Sequence, residues 1–569
     1  MRFTTGVFLA VGVAAVLLTS ALAFRTAADG AAGTSVQILF DLGDGTYAWS
    51  LRVSISDPDA PNATWNATSV AAAEAGISLE SSWYSCCGVF VNGLGGRRPP
   101  TGTGLFVWNG SRYSWDLAPA GLSSLVLQGN ATIALSNSAF DSVTYATRAP
   151  VPTPDHPFPV TQFRGDLENR GIAPTPGPKT SRTLWDHALP LQEIEATPAV
   201  GRGLVFVNTL DGFYALDVRT GDVSWENLAV KGLSSPALVG ETVLVGGSDG
   251  RVHALNATSG EERWNTTLVE HPMFSGITSS PKVEYDFAYV GTFNESGGPG
   301  DVVALWISNG SIAWRHATAS VDFSSPAVFD GSVYVGVMGH YNTTTQVTWD
   351  PPFGVLALEA ASGNEEWFFP TNASVAASPV VHGDLLLVPA KNGFVYALNR
   401  THGTPVWSRD VRAGVSSPAL DGDTLLVGGG SFGEGGVLVA VDVASGVPRW
   451  TSSANGPIQS SLTVADGIVY FATNTAGGTI YAVNTTTGAL VWSYTPSPAQ
   501  FIFGSPVVAD GRLYAVSDNG HVYAFLDSPA EPDRLGQTSF QPVVLGAVAL
   551  VAVAAAVAVF WFRRSRHGP

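Results

Sequence analysis

The sequence predicts a mainly β protein: an eight-bladed β-propeller of four-stranded blades, with a small N-terminal α+β domain before it and a transmembrane helix after it. Two interleaved repeats in the middle of the chain predict the propeller. The composition agrees, with 63 Gly and 36 Pro in 569 residues and only 13% charged residues. Such a chain turns often, which excludes a coiled coil and most helical repeats. The net charge of −18 disfavours binding to nucleic acid, whose phosphates would repel it.

The first repeat places an Ala, then a Gly six residues later, then a Trp ten residues after the Ala. It occurs as Ala215/Gly221/Trp225, Ala254/Gly260/Trp264, Ala304/Gly310/Trp314 and Ala357/Gly363/Trp367. It continues as Ala397/Gly403/Trp407, Ala440/Gly446/Trp450 and Ala482/Gly488/Trp492. The second repeat is a small-small-Pro step, as in Ser234-Ser235-Pro236 or Ser279-Ser280-Pro281. It occurs eight times, with Ser460-Ser461-Leu462 as its one departure. Strand-like runs lie between the two signatures, joined by hairpin pairs such as Asp249-Gly250 and Asn392-Gly393. Each unit therefore holds four short strands in ~43 residues, the blade period of a propeller.

The last unit reaches Ala524, but Arg534 stands where its Trp is due, and the missing Trp is Trp185 at the start. A strand around Trp185 is expected to complete the last blade and remove the open sheet edge.

Both ends of the chain address a membrane. Arg2, the apolar run Val7 to Leu18 and Ala21-Leu22-Ala23 read as a signal peptide over residues 1–23. Pro542 to Phe562 is uncharged and long enough to span a bilayer, giving a helix at 541–562 after a stalk at 528–540. Arg563, Arg564 and Arg566 then place the 563–569 tail in the cytoplasm. The expectation is a single-pass type I protein of the cell membrane, with its bulk extracellular.

Twelve sequons are candidate glycosylation sites: Asn62, Asn66, Asn109, Asn130, Asn256, Asn265, Asn294, Asn309, Asn342, Asn372, Asn399 and Asn484. The only cysteines, Cys86 and Cys87, form a candidate vicinal disulfide or a pair of half-buried thiols.

The pattern Ala-x-(Asp/Asn)-x-x-x-Gly-x-x-x-Trp, complete at Ala215-Leu216-Asp217…Gly221…Trp225, resembles the repeat of pyrroloquinoline-quinone (PQQ)-type propellers. Phe163-Arg164-Gly165-Asp166 and Gly171 resemble the lead-in segment of that family. The resemblance covers residues 162–527. It implies that Trp185, Trp225, Trp264, Trp314, Trp367, Trp407, Trp450 and Trp492 pack as core between neighbouring blades. Trp306 and Glu359 depart from the pattern at its third position, so those blades are expected to lose a turn-capping side chain.

The family includes PQQ-dependent dehydrogenases and also cofactor-free assembly scaffolds. A bound quinone carries three carboxylates and needs convergent cations, with oxygen ligands for its calcium. No cluster in the sequence can be assigned to those roles. Arg202, Arg219, Lys282 and Arg412 read as solvated positions, and no cofactor is expected. Cys86-Cys87 lies outside the propeller, so a likeness to the neighbouring-cysteine disulfide of some quinoprotein dehydrogenases fails by position.

Residues 24–147 form a separate unit before a Pro-rich linker at 148–161. Strands are expected at Val36–Leu39 and Trp49–Ser54, a short helix at Val70–Ala75 and a turn at Val91-Asn92-Gly93. An aromatic strand at Leu105–Asn109 and a closing strand at Leu125–Ala134 follow. This order resembles the β-grasp-like family named domain of unknown function 4430, related to the closing domain of cobalamin carriers; cobalamin binding is not carried over.

Other chemistry is sparse. Gly246–Gly250 and Gly429–Gly433 fit the Gly-x-Ser-x-Gly hydrolase pattern but fall in strand–strand loops, where it cannot work. His253 and His521 read as ordinary strand positions. Long insertions at Phe293–Asp301, Gly339–Pro352 and Gly428–Gly436 project from one face of the ring. That face, with His271, His340, Tyr341, Trp349, Asp350, Phe274 and Phe501, is the candidate binding surface. The function expected is a non-catalytic binding or assembly scaffold with protein or glycan partners outside the cell. The alternative is a membrane-anchored quinoprotein oxidoreductase acting on alcohols or sugars, with PQQ and calcium.

Overall fold

A computed structural model describes residues 160–527, apart from a few loop positions, and most of 34–136. The signal segment, most of the Pro-rich linker, Cys86, Cys87, His271, Phe274, the stalk and Pro542–Phe562 lie outside the described residues. Among the described residues no helix is long and apolar enough to cross a membrane.

The N-terminal unit carries a mixed sheet in which Thr34–Asp41 and Asn130–Ser136 pair in parallel. Tyr47–Trp49 and Val53–Ile55 flank the first of these, and Gly104–Asn109 with Ser114–Leu117 flank the second. The helix runs over Ala63–Glu74, a stretch free of Gly and Pro, and therefore starts earlier than the Ala-rich run alone predicts. Val91-Asn92-Gly93 is not a turn but part of the strand Gly88–Leu94; the turn comes at Gly95-Gly96, which carry the positive φ. The expected strand at Trp49–Ser54 is split, and the closing strand starts only at Asn130.

From residue 183 to 525 the described chain forms eight four-stranded antiparallel sheets. Sheets 1 to 7 span residues 199–227, 237–267, 282–318, 327–370, 380–410, 419–454 and 463–494. Sheet 8 takes three strands from 507–525 and its fourth from Thr183–Ala188, with Ala524 opposite Trp185. First strands of successive sheets touch one another, so they line the axis. The antiparallel order puts inter-sheet connections and second-to-third hairpins on one face, called upper here. The other two turns of each sheet lie on the lower face.

Each motif Ala pairs with its own Trp, and each Trp meets the following sheet. The indole Nε1–H of Trp185, Trp225, Trp264, Trp314, Trp367, Trp407 and Trp450 donates to a backbone carbonyl there, at 2.9 to 3.0 Å. The indole face lies on the next motif Gly, whose φ is positive. A Cβ on that Gly would approach the ring to 2.3–2.6 Å. Trp492 has no following Gly turn, because the third and fourth strands of sheet 8 come from opposite ends of the repeat region and no turn joins them, and it donates to Pro178 O instead. Beside it the Asp527 carboxylate accepts from the N–H groups of Lys179 and Thr180, bridging the chain ends.

The first strands are edges facing the axis, and their free N–H groups need acceptors. The lead-in segment supplies them as a strap that circles the ring. Thr161 O accepts from Leu238, Leu167 O from Val328, Glu168 O from Val381, Arg170 O from Leu420 and Gly171 O from Val464. Val160 exchanges two bonds with Val200, and Gln162 Oε1 accepts from Val283. The strap thus engages sheets 1 to 7 in sequence.

Lys282 is not a solvated position. It is fully buried, and its Nζ donates to Phe163 O at 2.7 Å and Asp166 O at 2.8 Å, so it clamps the strap from sheet 3. Burial pushes its pKa down to about 7. Arg164 is likewise buried, donating to the carbonyls of Leu462, Pro418 and Asn169.

Gly310→Ala would press a methyl group into Trp264 at a left-handed position, where overpacking typically costs about 1–3 kcal/mol. Gly331 also has positive φ, but a Cβ there meets nothing within 4 Å. Thermal unfolding should therefore show a clearly larger fall in Tm for Gly310→Ala than for Gly331→Ala. Equal falls would mean that backbone strain, not the indole contact, fixes the glycine.

Candidate functional site

The second small residue of each step sits on the axis, and its hydroxyl accepts the backbone N–H of its counterpart in the preceding sheet. The N–H of Thr197 donates to Ser235 Oγ, Ser235 to Ser280, Ser280 to Ser325 and Ser325 to Ser378. Ser378 donates to Ser417, Ser417 to Ser461, Ser461 to Ser505, and Ser505 to Thr197 Oγ1, which closes the circle. The eight distances run from 2.8 to 3.4 Å. Only a small hydroxyl side chain both fits beside the axis and reaches its neighbour.

Above this ring lies a second tier, the residue just before each step: Glu195, Leu233, Thr278, Phe323, Ala376, Val415, Gln459 and Phe503. Phe323 and Phe503 come from opposite sides of the ring, and their ring centroids meet 5.6 Å apart. Phe323 holds φ +62°, an outlier for a bulky residue, with its N–H on Thr278 Oγ1 at 3.1 Å. Phe163 of the strap lines the cavity from below. The axis is therefore a blind well, with a cavity of about 50 Å³ that suits a few water molecules.

The mouth is acidic. Burial, reinforced by Asp518 and Glu193, pushes the Glu195 carboxyl up to about 7. Burial and Glu193 push Asp518 up to about 6. No Arg or Lys lines the well, and Arg164 and Lys282 spend their donors on strap and sheet carbonyls. A quinone with three carboxylates does not fit this lining. Among the described residues no group of three or more His, Cys, Asp or Glu is placed to hold a metal ion.

The insertion face is organised separately. His340-Tyr341 and Trp349-Asp350 pair as a hairpin between the second and third strands of sheet 4. Tyr341 and Trp349 pack on Phe293 of the sheet 3 insertion, with centroids 5.6 and 5.0 Å away, and on each other at 5.4 Å. Four of the seven predicted binding-surface residues, His340, Tyr341, Trp349 and Asp350, are thus brought together, but the two aromatic rings are largely engaged in bracing the insertions. Phe501 stands exposed beside the mouth, where its carbonyl accepts from Asp518 N–H.

Several sequons coincide with turns of the repeat. Asn256, Asn399 and Asn484 hold the third motif position, and each Oδ1 accepts two backbone N–H groups of its own turn. Asn342 caps its turn in the same way, and Asn294 and Asn309 each accept one backbone N–H and the hydroxyl of the same serine, Ser296 and Ser311 respectively. Turn chemistry alone therefore favours Asn-x-Ser/Thr at these positions. Glu359 keeps a cap, accepting from Ser362 Oγ.

His253 is buried between Glu262, 2.6 Å from Nδ1, and Asp249, 3.1 Å from Nε2. Burial opposes its charge, but the two carboxylates outweigh it and hold the imidazole above its ordinary value.

Glu195, Phe323, Phe503 and Phe163 as a lining residue are what sequence reasoning missed. The available signal was positional, since three of them fall in the column immediately preceding the small-small step.

The family model described as outer membrane protein assembly factor BamB matches residues 177–351, 300–457 and 433–530. BamB of Yersinia pestis is 28% identical over 251 residues, covering 37% of this chain and 62% of its own length. Quinohemoprotein alcohol dehydrogenase ADH-IIG of Pseudomonas putida is 27% identical over 209 residues, covering 32% of this chain and 29% of its own. The chain spans less than two thirds of either relative. The solved structure of quinohemoprotein alcohol dehydrogenase ADHIIG from Pseudomonas putida HK5 matches with a TM-score of 0.55 at 16% identity. That match covers 66% of this chain and 82% of that one, and it is a likeness of fold.

The raised Glu195 pKa fixes the sign of a pH effect. The folded state holds this proton more tightly than the unfolded chain, so the contribution of Glu195 to stability is greatest below the ordinary value of 4.5. It then falls as pH rises to about 7. Glu195→Gln should raise Tm at pH 8, leave it nearly unchanged at pH 4 and flatten the profile between. An unchanged profile would mean that the carboxyl ionises freely in the folded state.

Proposed function

Because the chain belongs, over residues 177–530, to the family of the outer membrane protein assembly factor BamB, we propose that it is a non-catalytic binding or assembly scaffold. In this reading the eight four-stranded sheets are the blades of one closed propeller. The observation that carries it is the blind well. Its floor is the strap, its mouth is crossed by Phe323 and Phe503, and its wall offers hydroxyls and apolar groups rather than cations.

The remaining surface then does the work. The proposed partners are proteins or glycans met on the upper face at His271, His340, Tyr341, Trp349 and Asp350. Topology supports that orientation. The strand entering sheet 8 and the strand leaving it both have their free ends on the lower face. With residues 541–562 as a membrane helix, residues 1–23 as a signal and the bulk extracellular, the lower face turns toward the membrane and the insertions away from it. The N-terminal unit, a domain resembling domain of unknown function 4430 in this reading, joins the same side through its linker.

The second reading, a PQQ-dependent oxidoreductase, draws on the match to the Pseudomonas putida dehydrogenase. One titration separates the two. Full-length protein in detergent is given PQQ with calcium, then alcohols and sugars with a redox dye. The expected outcome is neither a saturable change in cofactor absorbance nor dye reduction. Saturable binding with turnover would overturn the scaffold reading.

A further inference from the structure

A repeat protein carries its own internal controls, and one corner departs from them twice. At the third motif position six sheets carry Asp217, Asn256, Glu359, Asn399, Asp442 and Asn484, whose side-chain oxygens cap the following turn. Sheet 3 carries Trp306 instead. Its turn is held by Asn309, which accepts from Ser311 N–H at 2.9 Å, so the fold does not require the Trp for capping.

Trp306 lies on Phe287, directly opposite in register, with ring centroids 4.4 Å apart. Phe287 continues to Tyr289 and Tyr289 to Trp314. A row of four aromatic rings thus runs from the inter-sheet core to the lower surface, where Trp306 is 39% exposed.

The second departure is the turn between the first two strands of the same sheet. Its leading position is Gly or Asp in six other sheets and Arg202 in sheet 1. In sheet 3 it is Tyr285, at φ +50° and 51% exposed. A phenol in the left-handed region is costly, and no turn geometry asks for it. Two independent departures place exposed aromatic surface at one corner.

The surroundings choose the partner's charge. The turns between first and second strands carry Glu241, Asp286, Asp330, Asp384, Asp423, Asp466 and Asp510, with Arg202 the one cation in the eight turns. Glu241 and Asp330, in the neighbouring sheets, meet Arg263 and Arg400. Asp286, beside Tyr285, has no ion pair among the described residues. An aromatic platform within an acidic rim fits a cationic side chain stacked on the ring.

We propose that the Tyr285–Phe287–Trp306 corner of the lower face is a second docking site, for a basic segment of a partner protein, with an Arg or Lys side chain on the Trp306 indole. The proposal rests on the scaffold reading and adds to it a surface opposite the insertions, so that one ring could bridge two partners.

The test is fluorescence anisotropy on the full-length protein in detergent. Its probes are a labelled arginine–proline peptide, the matching aspartate–proline peptide, and phosphatidylcholine–phosphatidylglycerol vesicles. The arginine peptide should bind, weaken with added salt, and lose about tenfold in affinity with Trp306→Asn, the size of one desolvated cation–π contact. Tyr285→Gly should also weaken it. Both variants adopt residues that the repeat uses elsewhere, and unchanged or raised Tm would show that they fold.

Absence of arginine-peptide binding, equal binding of the aspartate peptide, or an unchanged Kd in Trp306→Asn would overturn the proposal. Vesicle binding lost in Trp306→Asn, without a peptide preference, would assign the corner to a membrane surface instead. PQQ turnover with arginine-peptide binding intact would remove the scaffold reading alone.

Discussion

Each sheet is joined to the next at two radii by a repeated pair of hydrogen bonds, with Pro178 O standing in at the rim between sheets 7 and 8, and the rest of the structure depends on that pair. Near the axis a backbone N–H meets a neighbour's hydroxyl; near the rim an indole N–H meets a neighbour's carbonyl. Both are directional, so they fix the angle between adjacent sheets as well as their spacing. Apolar packing between the sheets supplies most of the driving force, because the facing side chains are almost wholly buried. It is non-directional, however, and could not by itself choose an angle that brings the eighth sheet back to the first. The bond from Ser505 N–H to Thr197 Oγ1 is the point at which the repeated angle has to close, and it does so at 3.1 Å.

Closure with small residues on the axis leaves a pore, and the strap removes it from below. Its contacts answer an otherwise unpaired first-strand N–H in each of sheets 1 to 7, with a backbone carbonyl in six of them and with Gln162 Oε1 in sheet 3. Arg164, Asn169 and Lys282 satisfy the carbonyls left over on both sides. In this floor the cations Arg164 and Lys282 are committed to backbone carbonyls, while the Gln162 Nε2 amide is buried without a partner among the described residues. The cations that look available in the sequence are therefore structural, and Lys282 shows it most clearly, since its ammonium is held between two strap carbonyls.

What could be read from the sequence follows from how each contact is encoded. The Trp–Gly contact needs one particular side chain and one particular absence of a side chain, so it repeats as letters. The hydroxyl step does too, and the displaced Trp185 marked where the ring is sealed. The strap's path was not legible, because it is written in backbone groups that every residue possesses; only Phe163-Arg164-Gly165-Asp166 marked its start. Lys282 was misread because charge alone suggests solvent, and the carbonyls that hold it lie more than a hundred positions away. The mouth of the well was hidden for another reason. Its column runs Glu, Leu, Thr, Phe, Ala, Val, Gln, Phe, and only the ring geometry shows that two of these phenylalanines face each other.

The same logic separates what the fold demands from what it permits. A column held constant around the ring, such as the motif Trp, is fixed by a contact repeated in seven of the eight sheets and reports on assembly. A column that varies without structural consequence is free to serve something else. The third motif position belongs between these classes, because an oxygen there caps a turn that Asn309 can hold alone in sheet 3. Once the cap is dispensable, Trp306 is no longer explained by the turn. Its exposed position beside a strained Tyr285 is not explained by the core either, whose burial is complete at Tyr289 and Trp314. The mouth of the well shows the opposite case. Phe323 also holds a costly backbone conformation, but its ring is spent on Phe503, so there the strain maintains a closure rather than presenting a surface.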